Sequence, residues 1–111
     1  VKPWNSVGQI SLLEDPIDAA FRTFHHANPD VYEQLVSLAQ RWRTAGHQRC
    51  GIAMLYELVR WERGLETSDD QFRLNNNYRS RYARLIMLNE PDLAGFFDVR
   101  QLSSEEASPW H

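Results

Sequence analysis

Phe72 to Asn89, FRLNNNYRSRYARLIMLN, decides how the rest of this chain is read. A short extended piece, Phe72-Arg73-Leu74, is followed by three asparagines and then by a segment with two unlike faces. Tyr78, Tyr82, Leu85, Ile86 and Asn89 recur at i, i+4, i+7, i+8 and i+11, the spacing of one side of a helix. At about 100° per residue, Asn77, Ser80, Arg81 and Arg84 gather on another side. Such a helix has the chemistry of a DNA reader: Arg reaches guanine in the major groove, Asn reaches adenine, and Ser or Arg holds phosphate. The same sector on an ordinary surface helix is its solvated side, because polar residues must face water somewhere. Local charge favours the first reading. Four Arg and no Asp or Glu lie between Gln71 and Asn89, in a chain that is acidic as a whole.

The 111 residues suffice for one domain with a core and are too few for two. The formal charge of −3 and pI of about 5.8 exclude a protein that coats nucleic acid non-specifically, which would be basic throughout, but they leave room for a local basic face. Lys2 is the single lysine, so the basic side chains are almost all planar, bidentate Arg donors. Cys50 is the single cysteine, which excludes an internal disulfide and a cysteine-based zinc site. No apolar run reaches the length of a membrane span and no signal-peptide pattern opens the sequence, so a soluble, cytoplasmic protein is expected.

Working outward from the Arg-rich stretch, residues 1–14 carry Trp4, Ile10, Leu12 and Leu13 without a period and are expected to form an N-terminal arm. Asp15-Pro16 reads as an N-cap and first helical residue, opening a helix to about His26 with Ile17, Ala20, Phe21 and Phe24 on one face. Asn28-Pro29 repeats that start signal. The helix it opens is expected to run to Ala45, stop at Gly46, and bury Val31, Leu35, Leu38 and Trp42. Ile52 to Arg63 follows, with Ile52, Leu55, Tyr56 and Val59 inward and Gly64 as its expected end. Met54, Leu58 and Trp61 are also apolar, which predicts cover on more than one side of this helix. The Arg-rich helix, expected over 77–89, must end at Glu90-Pro91. Pro91 to Ala94 is expected to add one turn, broken by Gly95. Phe96 to Leu102 alternates as a half-buried strand does, and 103–111 reads as a disordered tail.

The expected fold is therefore mainly α: a single four- to five-helix domain over 15–102, helix-turn-helix or winged-helix-like, with at most a short β element. Ile52–Arg63 would be the scaffold and 77–89 the reader. The 64–75 connection fits this poorly, being far longer than the three or four residues of a simple helix-turn-helix turn.

Several pieces of the chain belong together: Phe21-x-x-Phe24-His25-x-x-Asn28-Pro29-x-Val31-Tyr32, Glu57-x-x-Arg60-Trp61, Phe72-x-x-Asn75-Asn76, Tyr82-Ala83-Arg84-Leu85, and Pro91 with Phe96-Phe97-x-x-Arg100. This set resembles a family of small phage and prophage proteins without an assigned function, over about Phe21 to Arg100. The resemblance implies a viral or mobile-element origin and no particular activity.

Other chemistry finds little support in the sequence. His25 and His26 point about 100° apart on a helix, so one metal cannot easily take both, and a structural role is expected and no metal. Arg49 beside Cys50 could lower its pKa, but no acid and base accompany it, and a structural thiol is expected. Glu57 and Arg60, at i and i+3, suit an ion pair that orients the next helix. One of Asn75, Asn76 and Asn77 suffices as a cap, leaving the others for phosphate or base contact. Asp69-Asp70 has no partner pair, and there is no phosphate loop or nucleophile elbow. An enzyme is not expected, nor any cofactor.

The leading expectation is a small phage-type regulator that reads duplex DNA, with Asn77, Arg81 and Arg84 at bases or phosphates and Arg73, Asn76, Arg79 and Ser80 in support. A homodimer would double the contact of one short reader helix. The alternative is an adaptor that binds a host or phage protein through Trp61, Met54, Leu88 and the Arg face, since Trp, Met and Arg are typical of interfaces.

Overall fold

The computed structural model describes residues 15–66 and 74–98, and these form four α-helices, α1 Pro16–Ala27, α2 Pro29–Thr44, α3 Ile52–Glu66 and α4 Arg79–Asn89. Local chemistry sets most of their ends. The Asp15 carboxylate accepts from the Ile17 amide at 2.7 Å, satisfying one orphan donor at the start of α1. Gly46 takes φ +110° just beyond α2, a left-handed stop that an L side chain resists. Asn75 accepts from the Asn77 amide at 2.8 Å and opens a 3₁₀ turn, Asn76–Tyr78, that leads into α4. A second 3₁₀ turn, Pro91–Leu93, follows α4 and is closed by Gly95 at φ +72°.

Two expectations need correction, and a third is met in part. Asn28 does not cap α2 with its side chain; its Nδ2 instead donates to the Phe24 carbonyl at 3.1 Å and closes α1. α3 does not stop before Gly64 but continues to Glu66. Glycine ends a helix by turning left-handed, and among the described residues only Gly46 and Gly95 do so; in a right-handed turn Gly64 costs about 1 kcal/mol relative to alanine and no more. The strand expected from Phe96 is, within the described residues, a single parallel bridge between Cys50 and Phe97, anchored by the Cys50 amide to the Phe96 carbonyl at 3.0 Å. The rest of that strand, the arm, the 67–73 connection and the tail lie outside the described residues.

Packing centres on α2, which touches the other three helices. Its fully buried positions are Val31, Leu35 and Ala39, at i, i+4 and i+8. Against them lie Leu55, Tyr56 and Val59 of α3 and Tyr82, Ala83 and Ile86 of α4, with Leu93, Phe96 and Phe97 closing one end. Leu38 and Trp42, expected at the centre of the α2 stripe, are half-buried on its flank. Trp42 stacks on His47 at 3.7 Å and its indole N–H donates to the Arg49 carbonyl at 2.9 Å.

Polar ties fix the helices' order. Arg63 of α3 pairs with Asp30 near the start of α2 at 2.6 Å and donates to Gln34 at 3.1 Å. Trp42 and Met54 line one groove at the opposite ends of the same two helices, so α2 and α3 run antiparallel. The Tyr56 hydroxyl donates to the Asn75 carbonyl at 2.7 Å, and Arg60 donates to the Leu74 carbonyl and to Asn76 Oδ1, each at 2.7 Å. The Glu57–Arg60 ion pair thus orients the entry to α4, the role its spacing suggests.

Candidate interaction surfaces

α4 carries the predicted reader. It buries Tyr82, Ala83 and Ile86 against α2 and α3 and is tied to α1 through Tyr82 and Arg81. Of the outer sector, Asn77 and Arg84 are exposed, and Arg79 and Ser80 are half-buried. Asn76 is exposed, with its side-chain oxygen taken by Arg60. Arg73 lies outside the described residues.

Arg81 departs from the outward sector expected of it. Its side chain is only 13% exposed. Its Nε donates to Asp18 Oδ1, its Nη2 lies 3.6 Å from the Asp15 carboxylate, and its Nη1 donates to the Asn77 carbonyl at 3.1 Å. Two carboxylates of α1 and its cap therefore neutralise the central cation of the sector. They stand 63 and more residues away in sequence, beyond any local count of charge.

Under α1 lies an aromatic cluster. Phe21 packs edge-on to Tyr82 at 4.8 Å, and Phe24 leans on Tyr78 at 5.4 Å. His25 stacks on Phe21 at 5.9 Å, and burial, then the neighbouring His26, holds its pKa below the usual histidine value. His25 Nδ1 and the Tyr82 hydroxyl are buried without a hydrogen-bond partner. Burial also raises the Tyr82 and Tyr56 hydroxyls well above the ordinary tyrosine range. No group of three or more His, Cys, Asp or Glu among the described residues is placed to hold a metal. Cys50 is buried, burial pushes its thiol pKa up, and Arg49 is engaged at 3.2 Å by Asp98. This is a packed thiol and not an activated one.

The outer side of α3 is different in kind. Met54, Leu58, Trp61 and Leu65 follow one another at i, i+4, i+7 and i+11, with exposures of 40, 42, 63 and 68%. The cover expected over Met54, Leu58 and Trp61 is not supplied by any described residue. Beside the stripe, a groove of about 410 Å³ opens between α2 and α3. Leu38 and Trp42 form one wall and Met54 and Leu58 the other, with Arg41 and Glu62 at its rim. Leu65 escapes a sequence reading that ends the helix at Gly64; the 4-3-4 spacing of the four apolar residues is the signal that finds it. Leu88, 80% exposed near the end of α4, stands apart from this stripe.

A second open groove, of about 420 Å³, is lined by polar and backbone-rich residues including Arg43, His47, Gln48 and Asp92. No helix among the described residues is long and apolar enough to cross a membrane. Comparison with protein-family models, with curated proteins and with solved structures gives no match to this chain. The resemblance to phage and prophage proteins accordingly rests on the quoted residues alone.

Proposed function

We propose that this protein is a protein-interaction module whose binding face is the outer side of α3 with the adjoining groove. The stripe Met54, Leu58, Trp61 and Leu65 carries the reading. Single exposed apolar residues are ordinary on a protein surface, but an aligned row of four large ones beside an apolar groove has the composition of an interface core. Trp61 is its natural anchor, since tryptophan buries much area with little loss of conformational freedom. On the phage resemblance, the partner is a host or phage protein. Wild-type and Trp61→Ala protein, each immobilised and offered the same cell extract, test the reading. A protein retained stoichiometrically by the wild type and lost from an equally helical variant supports it. Identical retained sets contradict it.

Duplex-DNA recognition stands as the second reading, supported by Asn77, Arg79, Ser80 and Arg84 along the surface of α4. It ranks second because the pairing of Arg81 with Asp15 and Asp18 takes away the charge on which that sector chiefly depended. Anisotropy against random duplex DNA at two salt concentrations tests it. Binding that falls steeply with salt supports DNA recognition, and absence of binding at low salt excludes it for the protein acting alone.

A further inference from the structure

We propose that the α3 face is covered by a second copy of the chain, packed antiparallel about a two-fold axis that passes between Leu58 and Trp61. This rests on the reading of that face as an interface and names its occupant. The first argument is spacing. Apolar residues at 4-3-4 intervals form the seam of a coiled coil, a surface shaped to receive another helix. In antiparallel self-pairing, Leu58 meets Trp61 of the second copy and Met54 meets its Leu65, so all four layers are apolar on both sides.

Shape supplies the second argument. Trp61 is 63% exposed and stands one turn from the mouth of the groove walled by Leu38, Trp42, Met54 and Leu58. A two-fold axis places the Trp61 of each copy over the other's groove. The groove, at about 410 Å³, has room for an indole. A projection and a recess on one face are what an isologous contact requires, because each copy must offer both halves of the fit.

Charge chooses the direction. α2 and α3 are in antiparallel register, with Gln34 hydrogen-bonded to Glu62 at one end and Trp42 beside Met54 at the other. The Met54 end of the face therefore carries Arg41, and the Leu65 end carries Glu62 and Glu66. Antiparallel packing sets the basic end of each copy on the acidic end of the other and brings Arg41 towards the second copy's Glu66. Parallel packing would instead keep Arg41 at the same end as its counterpart, away from Glu66 of the second copy, and forgo this pairing.

Area sets the strength. With about 200 Å² for a fully exposed large side chain, the four stripe residues offer roughly 400 Å² of apolar surface per copy. Together with the polar rim, the pair reaches the lower end of the roughly 1,200–2,000 Å² buried in stable interfaces. A contact of this size suits a reversible dimer rather than an obligate one.

Sedimentation velocity on the full chain, from about 1 to several hundred micromolar, tests the proposal. The expected result is a monomer–dimer equilibrium. Leu58→Asp and Trp61→Ala should both remain monomeric while circular dichroism shows an unchanged fold. Arg41→Glu should weaken the dimer about tenfold, and Arg41→Glu with Glu66→Arg should restore it. A chain that stays monomeric throughout overturns the proposal, as does a dimer that survives Leu58→Asp and Trp61→Ala or a charge swap without rescue. A monomer that still captures a different protein, lost in Trp61→Ala, leaves the interaction-module reading standing and removes only the second copy. A monomer that captures nothing removes both.

Discussion

α4 and α3 invert each other. α4 carries the residues that sequence alone marks for function, and the structure turns the central one, Arg81, inward. α3 carries Met54, Leu58 and Trp61, over which the sequence predicts cover, and the structure leaves all three exposed. Arg81 is 13% exposed and held by Asp18 and Asp15, while Trp61 is 63% exposed. The contrast teaches that charge and hydrophobicity locate a surface only after tertiary partners are assigned. A guanidinium becomes structural when a distant helix supplies carboxylates, and an apolar side chain stays exposed when none of the described helices arrives to cover it.

The contrast can be broken first through stability. Arg81→Ala should cost about 2 kcal/mol, because it removes a largely buried side chain together with its charged hydrogen bond to Asp18 and unties α1 from α4, while the half-exposed carboxylates return to water. For a domain near this size that is a fall in Tm of roughly 8–16 °C by calorimetry. Leu58→Ser on the other face should cost less, about 1 kcal/mol or below, since Leu58 keeps 42% of its surface exposed in the folded chain. Equal losses in the two variants would erase the distinction between the faces.

A smaller effect is expected at the tether before α4. Tyr56→Phe removes the hydroxyl that donates to the Asn75 carbonyl at 2.7 Å and should cost about 1 kcal/mol in urea unfolding at constant m. If the loss is absent, Tyr56 is not what aims α4. On the DNA side, should salt-dependent binding be found, Arg84→Ala should reduce the slope of log affinity against log salt by about 1, as loss of one phosphate contact does. An unchanged slope would remove Arg84 from any such surface.

The smallest expected effect is in pH. The folded His25 pKa is lowered by burial and by His26, so the unfolded chain takes up its proton first as pH falls. Stability linked to His25 is thus full above the unfolded value of about 6.5, declines as pH drops below it, and stops declining beneath the folded value. His25→Phe should flatten this segment of the stability profile between pH 7 and 5. A profile as steep as wild type would assign it to other groups.

Much of the fold was legible because its signals are local. Asp15-Pro16, Gly46 and Glu90-Pro91 each act within a few residues and end their helices where expected. Tyr78, Tyr82 and Ile86 are buried, as their spacing predicts for the inner side of α4, whereas Leu85 is half-buried and Asn89, at the helix end, is exposed. Ala83 was not legible there, because a small residue gives no apolar signal although it lets another helix approach closely. Gly64 misled because glycine permits a left-handed stop without requiring one. The candidate site was less legible than the fold. Met54 and Trp61 were recognisable as interface residues, but Leu65 lay beyond a misplaced helix end, and the partners of Arg81 lay across the tertiary structure.

Thiol labelling compares the two faces most directly. Leu58→Cys and Arg84→Cys each add one accessible thiol, while Cys50 stays buried with its pKa raised and reacts slowly. Each variant is alkylated alone and with unlabelled wild-type chain in excess at several hundred micromolar. If the α3 stripe is the interface, the thiol at position 58 should slow several-fold in the excess chain and the thiol at position 84 should keep its rate. Protection at position 84 with none at position 58 would contradict the account and return α4 to the centre of function.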